Sequence, residues 1–285
     1  MISIIILTKN AGDNFEKLLN KIYSQSFKDF EIIVIDSGSS DFTVSIAKNY
    51  GCSVHEIKPG EFHHGKTRNY GAQLSKGDYI VYITQDALPL NSEWLSNLVS
   101  NCSKENVAAV YSRQIAYPDS NPMEKFFYSY FYSEEKQIAT KNEVKDPLKY
   151  WMEYVSSDVS SCYKKNIWEK IKFRKDVDFA EDKDFSIRAL KLGYKVIYEP
   201  KSVVYHSHDY NLISNFKRRY KEGQMIPMIL NEYESNYSTM SKVGVRYFKN
   251  EIMFLLKENK IWIPYACLYE FSKFIGMKIG NIMFK

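Results

Sequence analysis

Short apolar runs alternate with amphipathic stretches through the first hundred residues, and that rhythm narrows the choice of fold more than any other feature of the chain. "ISIIILT" (2–8) is apolar without alternation, as suits a strand buried on both faces. Residues 14–26 follow with Phe15, Leu18, Leu19 and Ile22 on one helical face. The pattern continues through "EIIVID" (31–36), a helix starting near Asp41, and "CSVHEI" (52–57). Next come a helix over "KTRNYGAQLS" (66–75), the strand "DYIVYIT" (78–84), a helix over "SEWLSNLVSNC" capped by Asn91 or Ser92, and the strand "VAAVYS" (107–112). Strand and helix alternating at this spacing predict an α/β fold, a mostly parallel central sheet flanked by helices. Ligands of such sheets bind beyond the carboxyl ends of the strands. Thr8-Lys9-Asn10, Asp36-Ser37-Gly38-Ser39 and Thr84-Gln85-Asp86-Ala87 therefore fall on one edge. Asp86 stands at the exit of a buried strand, where a desolvated carboxylate is costly unless a metal, a lysine or a helix N-terminus meets it.

Beyond residue 115 the pattern loosens. Residues 117–150 read as irregular, with Pro118, Pro122, Pro147 and the aromatic burst "FFYSYFY" (126–132), an acceptor groove or core packing. A short helix is expected over 163–171 and another over 181–194, packing Phe185, Ile187, Leu190 and Leu192. "KVIYEP" and "SVVYH" read as two strands, and 211–230 as a helix.

Composition removes several classes of function. A chain of 285 residues with 45% hydrophobic and 26% charged residues buries a real core and is not disordered. Cys52, Cys102, Cys162 and Cys267 form no C-x-x-C pair and read as reduced thiols, not as a disulfide framework or zinc site. Residues 241–285 hold eight Lys/Arg against three Glu, an excess equal to the chain's whole formal charge of +5. The remainder is near neutral, unlike a nucleic-acid binder. The tail adds Phe248, Phe254, Leu255, Trp262, Tyr265, Phe271, Phe274 and Phe284 to its lysines. That mixture suits a membrane interface with anionic lipid, or a helical pair packed on the core or on a dimer partner. The opening lacks the basic start of a secretory leader, and no run of ~20 apolar residues spans a bilayer. A cytoplasmic location is expected, with peripheral contact at the inner face of the membrane.

Two common nucleotide motifs are missing. Lys9-Asn10-Ala11-Gly12 stands where a dinucleotide-binding G-x-G-x-x-G would follow the first strand, and there is no P-loop. What remains resembles the GT-A fold of family 2 glycosyltransferases. The opening "ISIIILTKNAGDNFEKLLNKIYSQSFKDFEIIVIDSGSSDFT" carries the first likeness. The F-x-H-G-x-x-R-N (62–69) and T-Q-D-A-x-P (84–89) elements are similar to the bacterial rhamnosyltransferase branch, as is "AEDKDFSIRALKLGYKVIYEPKSVVYHSHDY". The likeness covers about residues 1–220. It implies a catalytic domain over 1–240, divided into a nucleotide-sugar half (1–115) and an acceptor half (116–240), with a helical extension over 241–285.

The resemblance also assigns roles. Asp36, with Ser37 beside it, matches the carboxylate that reads the imide N–H of uracil or thymine; the alternative is a turn aspartate before Gly38. Thr8 and Asn10 would line the base and ribose, and His64, Arg68 and Asn69 would face the diphosphate, guanidinium forking onto phosphate oxygens. Gln85 and Asp86 lie in T-x-D, where the family has D-x-D holding a divalent cation, Mg²⁺ or Mn²⁺. Thr84 replaces the first Asp. His206 or His208 matches an added histidine ligand. Glu181-Asp182 matches the catalytic E-D pair, in which Asp182 is the general base; both also suit a helix's first turn. The implied reaction is an inverting sugar transfer from a nucleotide sugar, dTDP-β-L-rhamnose foremost, to a saccharide or lipid-linked saccharide of a surface polysaccharide. The alternatives are a UDP-sugar donor or a non-catalytic sugar-nucleotide-binding scaffold.

Overall fold

A computed structural model describes residues 1–230 and 237–284; Lys285 and the side chains of 237–241 and of Phe284 lie outside the described residues. The chain forms two compact units: Met1–Gln114, Tyr132–Asn142 and Val155–His206 make one, and Ile115–Phe131, Glu143–Tyr154 and Ser207–Lys285 the other. This division interleaves along the chain and does not follow the 240/241 line expected from the resemblance.

The first unit begins with β1 (Ile2–Thr8), α1 (Asp13–Tyr23), β2 (Phe30–Asp36), α2 (Thr43–Asn49), β3 (Ser53–Glu56), α3 (His64–Leu74) and β4 (Tyr79–Ile83). β1 pairs in parallel with β2 and β4, and β2 with β3, so the unalternating isoleucines of β1 are covered on both faces. Phe15, Leu18, Leu19 and Ile22 of α1 are fully buried, each worth about 1.5–3 kcal/mol relative to exposure. Next in the chain come β5 (Leu88–Pro89), α4 (Trp94–Cys102) and β6 (Val107–Ile115). α4 has no side-chain cap at its N-cap Glu93; Asn91 instead accepts the Glu93 N–H at 3.0 Å.

After α5 (Pro122–Phe131) come β7 (Gln137–Ala139), α6 (Pro147–Glu153), β8 (Ser160–Lys164), α7 (Lys165–Ile171), α8 (Glu181–Lys191) and β9 (Lys195–Tyr205). β8 pairs antiparallel with both β4 and β6, and β5 and β7 pair antiparallel with β9. The sheet order is β3-β2-β1-β4-β8-β6-β9-β5, with β7 off this path on β9. β1 to β4 pair in parallel, whereas β8 runs against both of its neighbours and β5 and β7 run against β9, which makes the sheet mixed. The two expected strands at 195–206 are one continuous strand, and Leu192, expected to pack, is 66% exposed.

The second unit is helical among its described residues. Its long elements are α9 (Leu212–Leu230), α10 (Tyr237–Glu258) and α11 (Ile263–Phe284). The aromatic burst is helical, forming α5, and packs on α10: Phe131 stacks on Tyr247 at 5.5 Å, and Phe126 lies 5.4 Å from Phe254. α9 and α11 approach through glycine. A Cβ at Gly280 would stand 2.1 Å from the Tyr220 carbonyl oxygen, and one at Gly223 2.3 Å from that of Met277. No other residue permits backbones so close.

Candidate active site

The ends of β1 and β2 are tied together by Asp36. Thr8 Oγ1 donates to Asp36 Oδ2 at 2.8 Å, Ser39 Oγ to the same oxygen at 2.6 Å, and the Gly38 and Ser39 amides to Oδ1 at 3.0 and 2.7 Å. Four donors thus hold a fully buried carboxylate, which organises the 36–39 turn. Gly38 sits at φ +85°, and a Cβ there would meet the Pro59 ring at 2.7 Å. Ser37 donates to the Thr8 carbonyl from its amide and its hydroxyl. Asn10, left-handed at φ 47°, donates from its amide to Ser39 Oγ and accepts the Ser40 amide on Oδ1. Gln85 clasps the Lys9 backbone, accepting its amide at 2.8 Å and donating to its carbonyl at 3.2 Å. All of the expected strand-end residues therefore meet along one rim.

Asp86 leaves β4 through the turn 84–87, where Ala87 N donates to the Thr84 carbonyl. Its Oδ1 lies 3.8 Å from His206 Nε2 at the end of β9. His206 Nδ1 stands 2.9 Å from Gln114 Oε1, an acceptor, so Nδ1 carries the proton and Nε2 presents its lone pair on the Asp86 side. Gln114 is itself fixed by donating to Tyr132 and Ser157, each at 2.9 Å. Thr84 Oγ1, at the position of the family's first D-x-D carboxylate, is buried with no hydrogen-bond partner among the described residues. A carboxylate, an imidazole with its tautomer set and an unsatisfied hydroxyl fit a divalent cation. His208 follows two residues after His206, within the second unit.

Glu181 and Asp182 open α8 just after Ala180, which is left-handed at φ 64°. Glu181 turns inward and is 4% exposed, whereas Asp182 is half-buried, so the two neighbours face different surroundings. Asp182 Oδ2 accepts the Asp158 amide at 3.0 Å and Oδ1 accepts the Lys183 amide at 2.7 Å.

Behind this pair lies a buried ionic cluster that sequence reasoning missed. Arg68 Nε lies 2.9 Å from Asp158 Oδ2, and Arg68 Nη1 binds Glu181 Oε1. Asp158 Oδ1 also accepts from Ser161 Oγ at 2.7 Å and Tyr163 OH at 2.5 Å. Burial raises both acids, Asp158 to about 6 and Glu181 to about 8; Arg68 opposes the rise, and the neighbouring carboxylates, Asp182 among them, add to it. The same acids hold the Arg68 guanidinium firmly charged. Arg68, expected at a diphosphate, is thus 6% exposed and engaged by two carboxylates. Asn69, expected beside it, uses its carboxamide on Phe173, donating to the carbonyl at 2.8 Å and accepting the amide at 3.1 Å. His64 lies between Arg68, at 3.3 Å, and the Phe62 ring.

Residues 157–159 join these parts. Ser157 holds Gln114 behind His206, the Asp158 amide holds Asp182, and the Val159 carbonyl accepts the Thr84 amide at 3.0 Å. One three-residue segment thereby links the Thr84–Asp86 turn to the catalytic-pair candidates. Its only foreshadowing in sequence was a lone Asp158 in a serine-rich run.

Comparison with known proteins supplies a context for this arrangement. The family model "Glycosyl transferase family 2" matches residues 3–152. The chain is 33% identical over 285 residues to the O-antigen chain rhamnosyltransferase WbaN of Salmonella anatum, spanning 98% of this chain and 89% of that protein. It is 34% identical over 286 residues to the O-antigen chain rhamnosyltransferase RfbN of Salmonella typhimurium, with the same coverage. Among solved structures, the mannosyltransferase PcManGT from Pyrobaculum calidifontis, in complex with GDP-Man and Mn²⁺, superposes with a TM-score of 0.69 at 16% identity, covering 99% of this chain and 86% of that one. That likeness shows the GT-A architecture. On the family match and on two relatives aligned over nearly its whole length, the chain belongs to glycosyl transferase family 2.

Proposed function

We propose that the protein is an inverting rhamnosyltransferase that moves L-rhamnose from dTDP-β-L-rhamnose to a saccharide, lipid-linked on the cytoplasmic leaflet, during bacterial surface-polysaccharide assembly. The observation that carries the chemistry is the 157–159 segment, which ties the Thr84–Asp86 turn to Asp182. The choice of sugar is supported by the two rhamnosyltransferase relatives.

In this reading Thr8, Asn10, Asp36 and Ser37 form the rim that receives the nucleoside, with Asp36 shaping the turn from beneath and its neighbours presenting backbone groups. Asp86 and His206, with Thr84 and His208 close in sequence, would hold a divalent cation, which when bound neutralises charge on the donor diphosphate. His64 and Gln85 line the approach to that diphosphate. Asp182 takes the proton of the acceptor hydroxyl. The acceptor oxygen then bonds to the anomeric carbon as the bond to the diphosphate oxygen breaks, and the nucleoside diphosphate leaves with the electron pair. Configuration inverts, giving an α-L-rhamnoside. Arg68, Asp158 and Glu181 act behind Asp182 and fix its position. The acceptor half remains assigned to 116–240 and a helical extension, in peripheral membrane contact, to 241–285.

Calorimetric titration of a panel of nucleotide sugars with Mg²⁺ or Mn²⁺, followed by transfer assays, tests the reading. Selective binding and turnover of dTDP-L-rhamnose are expected. Selective turnover of a UDP-sugar would replace the donor, and binding of dTDP-L-rhamnose without transfer to any acceptor would replace the enzyme with a binding protein.

A further inference from the structure

We infer that α10 and α11 form a basic, apolar docking surface that lies in the plane of an anionic phospholipid bilayer without crossing it. The inference rests on the proposed lipid-linked acceptor only for its purpose; the surface itself stands on the side chains.

α11 is apolar on nearly every face, the composition of a helix enclosed on all sides. Its inner stripe is enclosed: Ala266, Tyr269, Gly276 and Gly280 are buried, and the two glycines meet α9. The opposite stripe runs at three- and four-residue spacing through Pro264, Cys267, Phe271, Phe274, Lys278 and Ile282, and it is exposed. Phe271 is 63%, Phe274 59% and Ile282 61% exposed, so large rings and branched chains face outward where water gives them nothing. Lys278 is the one charge on that stripe, and it lies 5.9 Å from the Phe274 ring. Such a face requires a cover.

The charges identify the cover. On α10 the buried stripe is Val243, Tyr247, Glu251 and Leu255. The outward stripe carries Lys242, Lys249 and Lys257, with Arg246 lying 3.5 Å from Glu153 of α6, interleaved with Val245, Met253 and Leu256. The segment joining the helices adds Lys260 and Ile261, the latter 81% exposed. Glu258 is the exposed acid among the described residues of this stretch, Glu270 being half-buried and paired with Lys273. A second copy of the chain laid face to face would set these cations against one another. An anionic lipid surface attracts each of them, while the apolar side chains enter the boundary between headgroups and acyl chains. No helix among the described residues is long and apolar enough to cross a membrane, so the contact is in-plane.

Flotation of the full chain with phosphatidylcholine vesicles, with and without phosphatidylglycerol, tests the inference. Binding is expected to the anionic vesicles, weakening as salt rises. The triple variant Lys242→Gln/Lys249→Gln/Lys257→Gln is expected to bind about a hundredfold more weakly, and Phe271→Ser/Phe274→Ser at least about tenfold more weakly. All five side chains are exposed, and unchanged thermal melts of the variants confirm that folding is not what changed. Equal flotation with both vesicle types, no flotation at all, or concentration-dependent dimerisation abolished by the Phe variants would each overturn it. Rhamnosyl transfer to an acceptor dissolved in detergent is scored separately. Transfer without vesicle binding refutes the docking surface alone, and vesicle binding without transfer refutes the proposed reaction alone.

Discussion

Each unit buries a cluster of carboxyl groups, and the two clusters are built differently. In the first, Asp158 and Glu181 share the Arg68 guanidinium, and the Ser161 and Tyr163 hydroxyls donate to Asp158. In the second, Glu251 is fully buried, and neither of its oxygens nor the Tyr247 hydroxyl has a hydrogen-bond partner among the described residues. Burial chiefly, then Glu270, then Glu124, raise Glu251 to about 8, with Lys273 opposing. A cluster in which a guanidinium lies against two acids, and two hydroxyls donate to one of them, holds its side chains by directional contacts, which the proposed base Asp182 would require of its surroundings. A carboxyl without such partners fixes nothing and rests as its neutral acid. The first arrangement is that of a site and the second that of a helix interface.

The largest expected effect is on turnover. Asp182→Asn keeps the carbonyl that accepts from the Asp158 amide but cannot take a proton, so kcat should fall about 10²–10⁴-fold with donor affinity unchanged by calorimetry. Next is stability. Arg68→Met strands two buried acids and should cost about 3–5 kcal/mol in urea melts, whereas Glu251→Gln, replacing a neutral acid by its neutral isostere, should cost less than about 1 kcal/mol at neutral pH. Comparable losses would erase the distinction between the clusters. Gln114→Leu removes the acceptor that orients His206 and should weaken Mn²⁺ affinity about 10–100-fold, read by calorimetry of the protein with Mn²⁺ and dTDP. The smallest effect is in pH dependence. Glu251 holds its proton in the fold up to about 8 but releases it near the ordinary glutamate value of 4.5 when unfolded. Its contribution is fully present below that lower value and declines as pH rises towards about 8, because the folded state binds more protons across the window. Glu251→Gln should flatten that part of the stability profile, and an unchanged slope would assign the pH dependence elsewhere.

The parallel half of the sheet was legible because β1, β2 and β4 are near-continuous apolar runs whose polar ends name the rim. α5 and α6 were not, since Pro122 and Pro147 read as breakers. Each instead opens a helix, where its missing N–H costs nothing. Asn121 Oδ1 accepts the Glu124 amide and Asp146 Oδ1 the Lys149 amide, so both prolines follow caps. β8 was hidden by its serines. Ser160 and Ser161 are buried yet satisfied, bonding Ser112 and Asp158, so a polar sequence occupies a core position. Asp158 went unnoticed with that strand. Asp86 was marked by its place at a strand exit, whereas His206 and Asp182 were assigned by the resemblance to the family. The partners of Arg68 lie about a hundred residues away, and no local signal reports them.

The central claim is that Asp86 with His206 and Asp182 serve opposite sides of one reacting bond. It is tested most directly by an anomalous-scattering map of crystals grown with Mn²⁺ and dTDP-L-rhamnose. The account predicts a manganese peak bonded to Asp86 and His206 Nε2 and bridging the diphosphate, with the sugar's anomeric carbon facing the Asp182 carboxylate. A manganese peak away from Asp86, or a sugar lying out of reach of Asp182, would contradict it.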